Sequence, residues 1–564
     1  RSSAASDVYK RQDRALAQRF GKKENVILWH ISNEFGGNFK DSTCHCEKCQ
    51  KKFREWLKNK YGTLDKLNAS WWTGFWSHKY TDWDQIHSPS PQGECLTTAL
   101  TLDWKRFSSE QITDFCKMEA DALREFSDLP TTTNMMGFFK GVDYNTLKNA
   151  VDIISWDNYP FWHERKDEVP EAVYTSAGNA LMRSLKREPF LLMESTPSSV
   201  SWRSHNPLKR PGMHMLSSMQ AVAHGADSVQ YFQWRKSRGG YEKFHGAVVD
   251  HKNGSDTRTF REVTEVGKRL EHLSGGIKTF LNRAKAAIVF DWENWWAVED
   301  TSGPRQDLDY VKCVTDHYRA FWECGLDVDF VSMDDDFSGY RLLAAPLNYM
   351  YKKGYSEKVR AFVEAGGTYV TTYFSGIVNE TDLCFIGRHP LEDVLGVVSE
   401  EMDAPSKEFE NCFDYNGKEY PAYTMCDIVH AKAKTEIYSV YKKDFYKGCP
   451  VVTENAYGSG RAYYLSAESD QRFLSAFYKD VFIKAGLLKE ASSADRILKR
   501  LPHGVTAAKR EDETGRKGLV FVMNFNDRQV RLEGIGKQID AESGEVYENV
   551  LEMAPFSCTI LKLK

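Results

Sequence analysis

The sequence predicts an α/β protein in three parts: a partial (β/α)8 barrel holding strands four to eight, an open α/β sheet, and a small antiparallel β domain. Short apolar runs alternate with helical segments in the first part, and each run ends in polar or aromatic residues. A second alternation of strands and helices begins near residue 285. From about residue 496 short alternating strands follow one another without helices. A chain of 564 residues is expected to hold two to four domains.

The first part is organised around a strand that ends in Asn33 and Glu34. Residues 26–29 form an apolar run with the length and β-branched character of a buried strand. The glycines at 36 and 37 allow a loop to begin. We predict four further strands, separated in part by helices at 171–186 and 215–224, and these strands are residues 131–135, 152–160, 190–197 and 226–234.

Polar or aromatic side chains end each of these strands. They are Asn33 and Glu34, Asn134, Asp157 and Tyr159, Glu194, Gln233 and Trp234. In a (β/α)8 barrel the carboxyl ends of the parallel strands form the face that carries the active site. The sequence therefore predicts an active site built from these strand ends.

Glu34 and Glu194 form the pair that suggests a reaction. Hydrolysis of a glycoside needs one carboxyl group as a proton donor and a second, ionised carboxylate as nucleophile or base. The alternative is that both are solvated or salt-bridged residues. Repeated polarity at the strand ends favours the catalytic interpretation.

Five barrel strands leave three unaccounted for, and we expect them to precede residue 13. Residues 1–12 have no initiator Met and no apolar signal-peptide region, so we interpret them as a non-native or misassembled leader. The catalytic domain is then residues 13–284. Because five strands cannot close a barrel and leave sheet edges exposed, we expect the chain as given to be inactive.

Three cysteines in a C-x-C-x2-C arrangement suggest a metal site. Cys44, Cys46 and Cys49 are close together, whereas the other nine of the twelve cysteines are scattered. Structural zinc requires four ligands, and Cys95 is a nearby fourth thiol that we do not favour. Scattered cysteines in a long chain indicate reduced thiols and lead us to expect a cytoplasmic location.

Composition argues against two classes of partner. A net charge of −4 gives no sign of binding to nucleic acid or to an anionic membrane. No apolar run reaches the roughly 20 residues of a membrane helix. The 15 tryptophans and 27 tyrosines could stack on sugar rings, although core packing is the more general explanation.

Several segments together resemble glycoside hydrolase family 42, the bacterial β-galactosidases. They are WHISNEFG at 29–36, the Cys44-x-Cys46-x2-Cys49 cluster, YGTLDKLN at 61–68, WWTGFWSH at 71–78 and LMESTP at 192–197. The resemblance runs from about residue 13 to the C-terminus. It implies a retaining β-galactosidase in which Glu34 is the acid/base and Glu194 the nucleophile.

The resemblance also implies substrate-binding and metal-binding roles. Asn33 would hydrogen-bond the sugar 2-hydroxyl, and Tyr159 is assigned by its strand position. Trp76 and Trp202 would form aromatic walls of the galactose subsite, and Glu242 and His245 would hold the sugar hydroxyls. The three cysteines would bind structural Zn²⁺, whose fourth thiolate and a sugar-binding arginine would lie upstream of this chain.

For residues 285–495 the resemblance implies an amidotransferase-like domain that forms the contact of a homotrimer. An amidotransferase needs a cysteine at a nucleophile-elbow turn, whereas residues 372–376 read TYFSG. We therefore predict that this domain is non-catalytic. For the β domain at 496–564 we expect a packing role.

The predicted function is exo-hydrolysis of small β-galactosides, with no organic cofactor. A β-fucosidase or α-L-arabinopyranosidase of the same clan is an alternative, because these sugars differ from galactose at C6. A non-catalytic sugar-binding fragment is the alternative from another class. The sequence does not specify the preferred linkage or aglycone.

Overall fold

The computed structural model describes residues 3–37, 43–89, 97–277, 280–488 and 501–563. The strands of the first part are short and parallel. They are β1 Trp29–His30, β2 Thr131–Thr132, β3 Asn134–Met135, β4 Ser155–Asp157, β5 Phe190–Glu194 and β6 Ala226–Val229. β1 pairs with β2, and β3, β4, β5 and β6 pair in chain order. Since only Thr133 separates β2 from β3, five successive parallel strand positions follow the chain.

Helices surround these strands. They are α1 Ser3–Phe20, α2 Glu47–Tyr61, α3 Leu64–Ser70, α4 Thr98–Arg124, α5 Tyr144–Leu147, α6 Val169–Lys186, α7 Met213–Ala223 and α8 Arg258–Ile277. In α2 the buried residues Phe53, Leu57 and Tyr61 recur every four positions, so one face of the helix packs inward. Helix α1 continues across residue 12, where we predicted the leader to end.

Three predictions for this part were wrong. The run at 26–29 was expected to be a buried strand, but Ile27 is 75% exposed and only Trp29–His30 pairs. The physical reason is position, because among the described residues β1 pairs with β2 alone. The strands at 152–160 and 226–234 are shorter than predicted, since their polar ends leave the sheet as loops.

The aromatic segment at 71–78 is buried at one end and mostly exposed elsewhere. Trp71 is buried and donates its indole N–H to Asp103 and to the Tyr61 hydroxyl. Trp72 and Trp76, however, are 66% and 65% exposed. Trp71 therefore belongs to the core, whereas the rings of Trp72 and Trp76 face solvent.

The second part is an open, mostly parallel sheet of seven strands in the order β16-β17-β18-β11-β9-β7-β8. Its strands and those beside it are β7 Ala286–Val289, β8 Val328–Val331, β9 Leu342–Ala345, β10 Met350–Tyr351, β11 Thr368–Thr372, β12 Val378–Asn379, β13 Val397–Asp403, β14 Asn411–Tyr415, β15 Lys418–Ala431, β16 Glu436–Val440, β17 Pro450–Tyr457, β18 Gly460–Leu465 and β19 Ala467–Glu468. The helices are α9 Trp292–Asp300, α10 Tyr310–Glu323, α11 Tyr355–Glu364, α12 Glu392–Leu395 and α13 Gln471–Lys484. Such a sheet is what the alternation of strands and helices predicted.

The turn after β11 carries a phenylalanine where an amidotransferase would need its cysteine. Phe374 has φ of 53°, a left-handed conformation that is costly for a residue with a side chain. Its ring is buried and stacks on Tyr349 at a centroid distance of 4.8 Å. The side chain at this turn therefore serves packing.

The third part is a small antiparallel β domain. Its strands are β20 Val505–Glu511, β21 Gly518–Asn524, β22 Val530–Glu533, β23 Gln538–Ile539, β24 Val546–Tyr547, β25 Val550–Met553 and β26 Ser557–Leu563. Alternate residues such as Val520, Val522 and Leu561 form its core. The predicted boundary at 496 falls outside the described residues.

The largest hydrophobic core extends through all three parts, from Ile31 and Leu192 to Ile288 and Phe521. The parts are therefore packed directly on one another. Among the described residues, no helix has the length and apolar character needed to cross a membrane.

Candidate active site

Glu34 lies in a constrained turn directly after β1. Ser32 and Glu34 have φ of 50° and 40°, values that cost on the order of 1–3 kcal/mol for residues with a side chain. The Glu34 backbone N–H donates to Asn134 Oδ1 at 3.0 Å, which helps to hold the turn. The conformation aims the Glu34 carboxylate towards the ends of the neighbouring strands.

Three carboxyl groups meet at these strand ends. Asp157 is the last residue of β4, Glu194 is the last residue of β5, and the two are paired in register. One carboxylate oxygen from each of Glu34, Asp157 and Glu194 lies within 4.8 Å of the other two. The predicted convergence of Glu34 and Glu194 on one place is therefore present in the structure.

Asn134, the first residue of β3, connects this cluster. Its Nδ2 donates to Asp157 Oδ2 at 2.6 Å and to Asn33 Oδ1 at 2.9 Å, and it lies 3.5 Å from Glu194 Oε1. Since Oδ1 of the same side chain accepts from Glu34, one buried amide contacts four residues of the site. Asn33 is exposed and joins the cluster through this amide.

Glu194 receives a hydrogen bond from Tyr159, whose hydroxyl donates to Oε2 at 2.6 Å. Burial raises the pKa of Glu194, and the negative charge of Glu34 raises it further. The hydrogen bond from Tyr159 favours the ionised form and lowers the same pKa. Tyr159 therefore supports a carboxylate that its surroundings otherwise disfavour.

Asp157 is the most strongly perturbed of the three acids. Burial raises its pKa to about 9, with further contributions from Glu194 and Glu34. Its side chain is only 7% exposed, whereas Glu34 and Glu194 are half-buried. The upward shift favours the protonated, neutral form of this group.

Aromatic rings line one side of the cluster. Trp202 meets Tyr159 edge-on at a centroid distance of 4.9 Å and stacks on His245 at 5.1 Å. Trp202 is 42% exposed, so part of its ring remains available to a ligand. The stack brings Trp202, Tyr159 and His245 together beside Glu194, as sequence reasoning expected.

His245 is fully buried, and its Nε2 lies 2.9 Å from the carbonyl oxygen of Phe232. This ring nitrogen donates, because a carbonyl can only accept. Its Nδ1 has no partner among the described residues. Burial lowers the pKa of His245, which favours the neutral ring with Nδ1 as an acceptor.

Glu242 and Trp76 differ in their relation to the cluster. Burial is the main cause of the pKa shifts of Glu194 and His245, and the charge of Glu242 raises the pKa of both. Trp76 is exposed and stacks on Phe75 at 4.7 Å. None of its described contacts joins it to the three carboxyl groups.

Sequence reasoning did not assign roles to Asp157 or Asn134. Both were recognised only as polar strand ends. That position was the available signal, since Asp157 ends the strand beside the one that ends in Glu194.

The cysteine cluster is compact. One Sγ atom from each of Cys44, Cys46 and Cys49 lies within 4.8 Å of the others, just before and at the start of α2. Hydrogen bonds from the Cys49 backbone and the neighbouring thiols lower the pKa of Cys46 to about 7. Three close sulfurs match part of a tetrahedral zinc site with Zn–S bonds of about 2.3 Å. Cys95 lies outside the described residues.

Family comparison gives two matches that together cover most of the chain. The profile of the glycoside hydrolase family 42 β-galactosidases matches residues 2–273. The profile of the β-galactosidase trimerisation domain of the same family matches residues 284–488.

Individual relatives are similar over most of their length. A β-galactosidase of Alicyclobacillus acidocaldarius is 47% identical over 528 residues, which are 91% of this chain and 74% of that protein. One from Clostridium perfringens is 43% identical over 98% of this chain and 80% of its own length. The crystal structure of a β-galactosidase from Rahnella sp. R3 superposes with a TM-score of 0.94 at 45% identity, covering 100% of this chain and 81% of that one. The structure of a catalytic mutant of a family 42 β-galactosidase from G. stearothermophilus superposes with a TM-score of 0.93 at 41% sequence identity. The match covers 100% of this chain and 82% of that one.

Proposed function

The chain belongs to the glycoside hydrolase family 42 β-galactosidases, and we propose that it hydrolyses terminal non-reducing β-D-galactosyl residues by a retaining double displacement. One observation carries the mechanism: oxygens of Glu34 and Glu194 approach within 4.8 Å. Retaining glycosidases hold their two carboxyl groups about 5–5.5 Å apart, whereas inverting enzymes need about 6.5–9.5 Å for an intervening water. The observed separation supports the retaining class.

In the first step Glu194 attacks the anomeric carbon while Glu34 gives its proton to the departing glycosidic oxygen. The bond between the anomeric carbon and that oxygen breaks, and an ester to Glu194 forms. Tyr159 favours the ionised nucleophile through its hydrogen bond to Oε2. Glu34 leaves this step as a carboxylate.

In the second step Glu34 takes a proton from water, and the water oxygen attacks the anomeric carbon. The ester to Glu194 breaks, galactose leaves with retained configuration, and both side chains return to their initial state. No organic cofactor enters either step.

The substrate contacts follow from the side chains around the carboxyl groups. Asn33 is proposed to bind the 2-hydroxyl, and Trp202 to cover one side of the sugar ring. His245 Nδ1 and the Glu242 carboxylate are proposed to accept hydrogen bonds from sugar hydroxyls. Tyr159 supports Glu194, and Trp76 is proposed as a more distant aromatic wall.

We also propose the larger assembly from the family. The five parallel strand positions would be strands four to eight of a (β/α)8 barrel. The match of residues 284–488 to a trimerisation domain supports a homotrimer. Free thiols at the described cysteines support a reducing, cytoplasmic setting.

We propose that Cys44, Cys46 and Cys49 bind a structural Zn²⁺, with a fourth ligand from outside the described residues. The donor set suits this ion, because thiolates are its usual structural ligands. When bound, the ion would connect the loop before α2 to that helix and take no part in the reaction.

Zinc analysis after dialysis tests this assignment. In the protein with its three preceding βα units restored, we expect about one zinc per chain, a lower content in Cys46→Ser, and no change in Cys384→Ser, which removes an exposed thiol elsewhere. Equal zinc content in the wild type and Cys46→Ser would exclude the site.

Hydrolysis of nitrophenyl glycosides tests the activity. The β-galactoside is compared with the β-fucoside and the α-L-arabinopyranoside, using this chain and the chain joined to the three preceding βα units that the sequence leads us to expect. We expect the longer protein to prefer the β-galactoside and to release β-galactose first, as seen by proton NMR. Preference for another sugar would favour the alternative glycosidases. Binding of galactose without turnover by either protein would favour a sugar-binding role.

A further inference from the structure

Asp157 is a third acid within the catalytic pair, and the two-step mechanism leaves it without a task. Its Oδ2 accepts from Asn134 at 2.6 Å, and one of its oxygens lies within 4.8 Å of a Glu34 carboxyl oxygen. Oδ1 is buried without a hydrogen-bond partner among the described residues. Burial on this scale disfavours a charge on Asp157.

Three carboxyl groups at this separation cannot all be ionised, because each negative charge raises the energy of the next. The mechanism requires Glu194 as an anion and Glu34 alternately as acid and carboxylate. Asp157 is the least exposed of the three, so it is the group on which a permanent proton costs least.

The groups that face Asp157 come from several elements. Glu34 follows β1, and Asn134, which donates to Asp157, is the first residue of β3. Glu194 ends β5. Burial raises the pKa of Tyr144 in α5, and the charges of Asp157 and Glu34 raise it further. Tyr159, two residues further along the chain, donates to Glu194. The acidic groups of this set disfavour ionisation of Asp157.

We propose that Asp157 is a positioning residue that keeps its proton through the catalytic cycle and donates a hydrogen bond to the Glu34 carboxylate. This inference rests on the proposed function. When Glu34 gives its proton to the leaving oxygen, the new carboxylate already has a donor beside it. When Glu34 takes a proton from water, the Asp157 proton stays in place, so the balance of both steps is unchanged.

A neutral donor at this position predicts that asparagine can replace it. In Asp157→Asn the amide oxygen accepts from Asn134 and the amide N–H₂ donates to Glu34. We expect kcat within about tenfold of the wild type for Asp157→Asn. Asp157→Ala lacks the donor, and we expect a loss of about 100-fold or more in kcat with KM changed less.

The pH dependence of stability gives a readout that needs no activity. Burial raises the pKa of Asp157 from its ordinary value of 3.8 to about 9 in the folded protein, so folding binds its proton. The free energy of unfolding therefore includes the whole contribution of this proton below pH 4, and the contribution is lost as the pH rises towards 9. Asparagine has no such proton, so the unfolding constant of the wild type should rise relative to Asp157→Asn by up to about tenfold per pH unit.

Measurements of kcat and stability on the Asp157 variants test the role of Asp157, whereas cleavage of β-galactosides tests the proposed function. A pH-independent stability difference between the wild type and Asp157→Asn, or a kcat as low in Asp157→Asn as in Asp157→Ala, would overturn the role of Asp157. Asp157→Ala serves the same stability test if the asparagine variant does not fold. Failure of the wild-type protein with its barrel restored to cleave any β-galactoside would instead contradict the proposed function.

Discussion

At the scale of single residues, neighbouring groups shift the pKa values of the carboxyl groups in the site in opposite directions. Burial and the charge of Glu34 raise the pKa of Glu194, while the Tyr159 hydroxyl lowers it. Burial raises the pKa of Asp157 to about 9, and the hydrogen bond from Asn134 offsets this rise only in part. Similar side chains at neighbouring strand ends thus take different protonation states.

Replacing Tyr159 with phenylalanine removes the donor to Glu194 Oε2. Hydrogen bonds to charged groups contribute about 1.5–3 kcal/mol, so we expect kcat to fall about 10–100-fold. Because the lost bond lowers the pKa of Glu194, the acidic limb of the pH–rate profile should move to higher pH. Tyr174→Phe, at an exposed tyrosine on α6, is the matched control and should change neither quantity. An unmoved acidic limb in Tyr159→Phe would contradict the assignment.

Replacing Glu34 with glutamine removes the proton donor. General acid catalysis contributes about 10²–10⁴-fold, so kcat/KM for a galactoside with a poor leaving group should fall by that amount. For a dinitrophenyl galactoside, whose leaving group needs little protonation, formation of the ester should be much less affected. Glu55→Gln on the exposed face of α2 is the control. Equal losses on both substrates would show that Glu34 is not the acid.

Sequence reasoning located the strand-end acids but not the way they interact. Glu34, Asp157 and Glu194 could each be recognised from an apolar run that ends in a carboxyl group. The contacts of Asn134 with four residues could not, because they join strands about 20 to 100 positions apart along the chain. The position of Trp76 relative to the site likewise depends on loop geometry that no local pattern specifies.

At the scale of elements, β1 is the vulnerable strand of the first part. It is two residues long, pairs with β2 alone among the described residues, and is preceded by the exposed Ile27. Unpaired strand edges with apolar side chains promote self-association. The Trp29 indole, which donates to Ser127 at 2.9 Å, fixes the other side of this strand.

Ile27→Lys should therefore reduce self-association of this chain with little effect on its melting temperature. Light scattering at increasing protein concentration measures the first quantity and calorimetry the second. Ile386→Lys changes an isoleucine that is 94% exposed in a loop, and it should leave association unchanged. If both variants reduce association equally, general surface charge and not the strand edge is responsible.

Long periodic elements could be predicted from the sequence, whereas exposed strands could not. Helix α6 and strand β5 follow apolar patterns and lie close to the predicted positions. Strand β13 has exposed or half-buried residues at six of its seven positions, so it carries no apolar alternation to recognise. Its pairing with the long strand β15 fixes it instead.

At the scale of the whole molecule, buried polar side chains join the three parts. Arg510 of β20 has no exposed side-chain surface and donates to the carbonyls of Val222, Ala226 and Phe280 and to Asp227. The β domain is thereby attached to the end of α7 and to β6 of the first part. A packing role for this domain, which we predicted from its sequence, agrees with these contacts.

Arg510→Ala removes a donor from three carbonyl oxygens, and of these the Val222 oxygen keeps another donor, the Gly225 N–H. Each unsatisfied buried group costs about 1–3 kcal/mol, and partial relaxation leads us to expect a total loss of about 3 kcal/mol in unfolding free energy. Denaturant titration measures this loss. Arg531→Ala removes an exposed arginine paired with Glu533 and Glu552 in the same domain, and should cost less than about 1 kcal/mol. Equal effects would mean that Arg510 does not anchor the domain.

The most direct test of the catalytic assignment is to trap the galactosyl–enzyme ester. A 2-deoxy-2-fluoro-β-D-galactosyl fluoride should accumulate the ester in the protein with its barrel restored, because loss of the 2-hydroxyl contact slows hydrolysis of the intermediate. Peptide mapping by mass spectrometry should then place one sugar on Glu194 and none on Glu34 or Asp157. A label on another side chain, or turnover of β-galactosides with inverted configuration, would contradict the account.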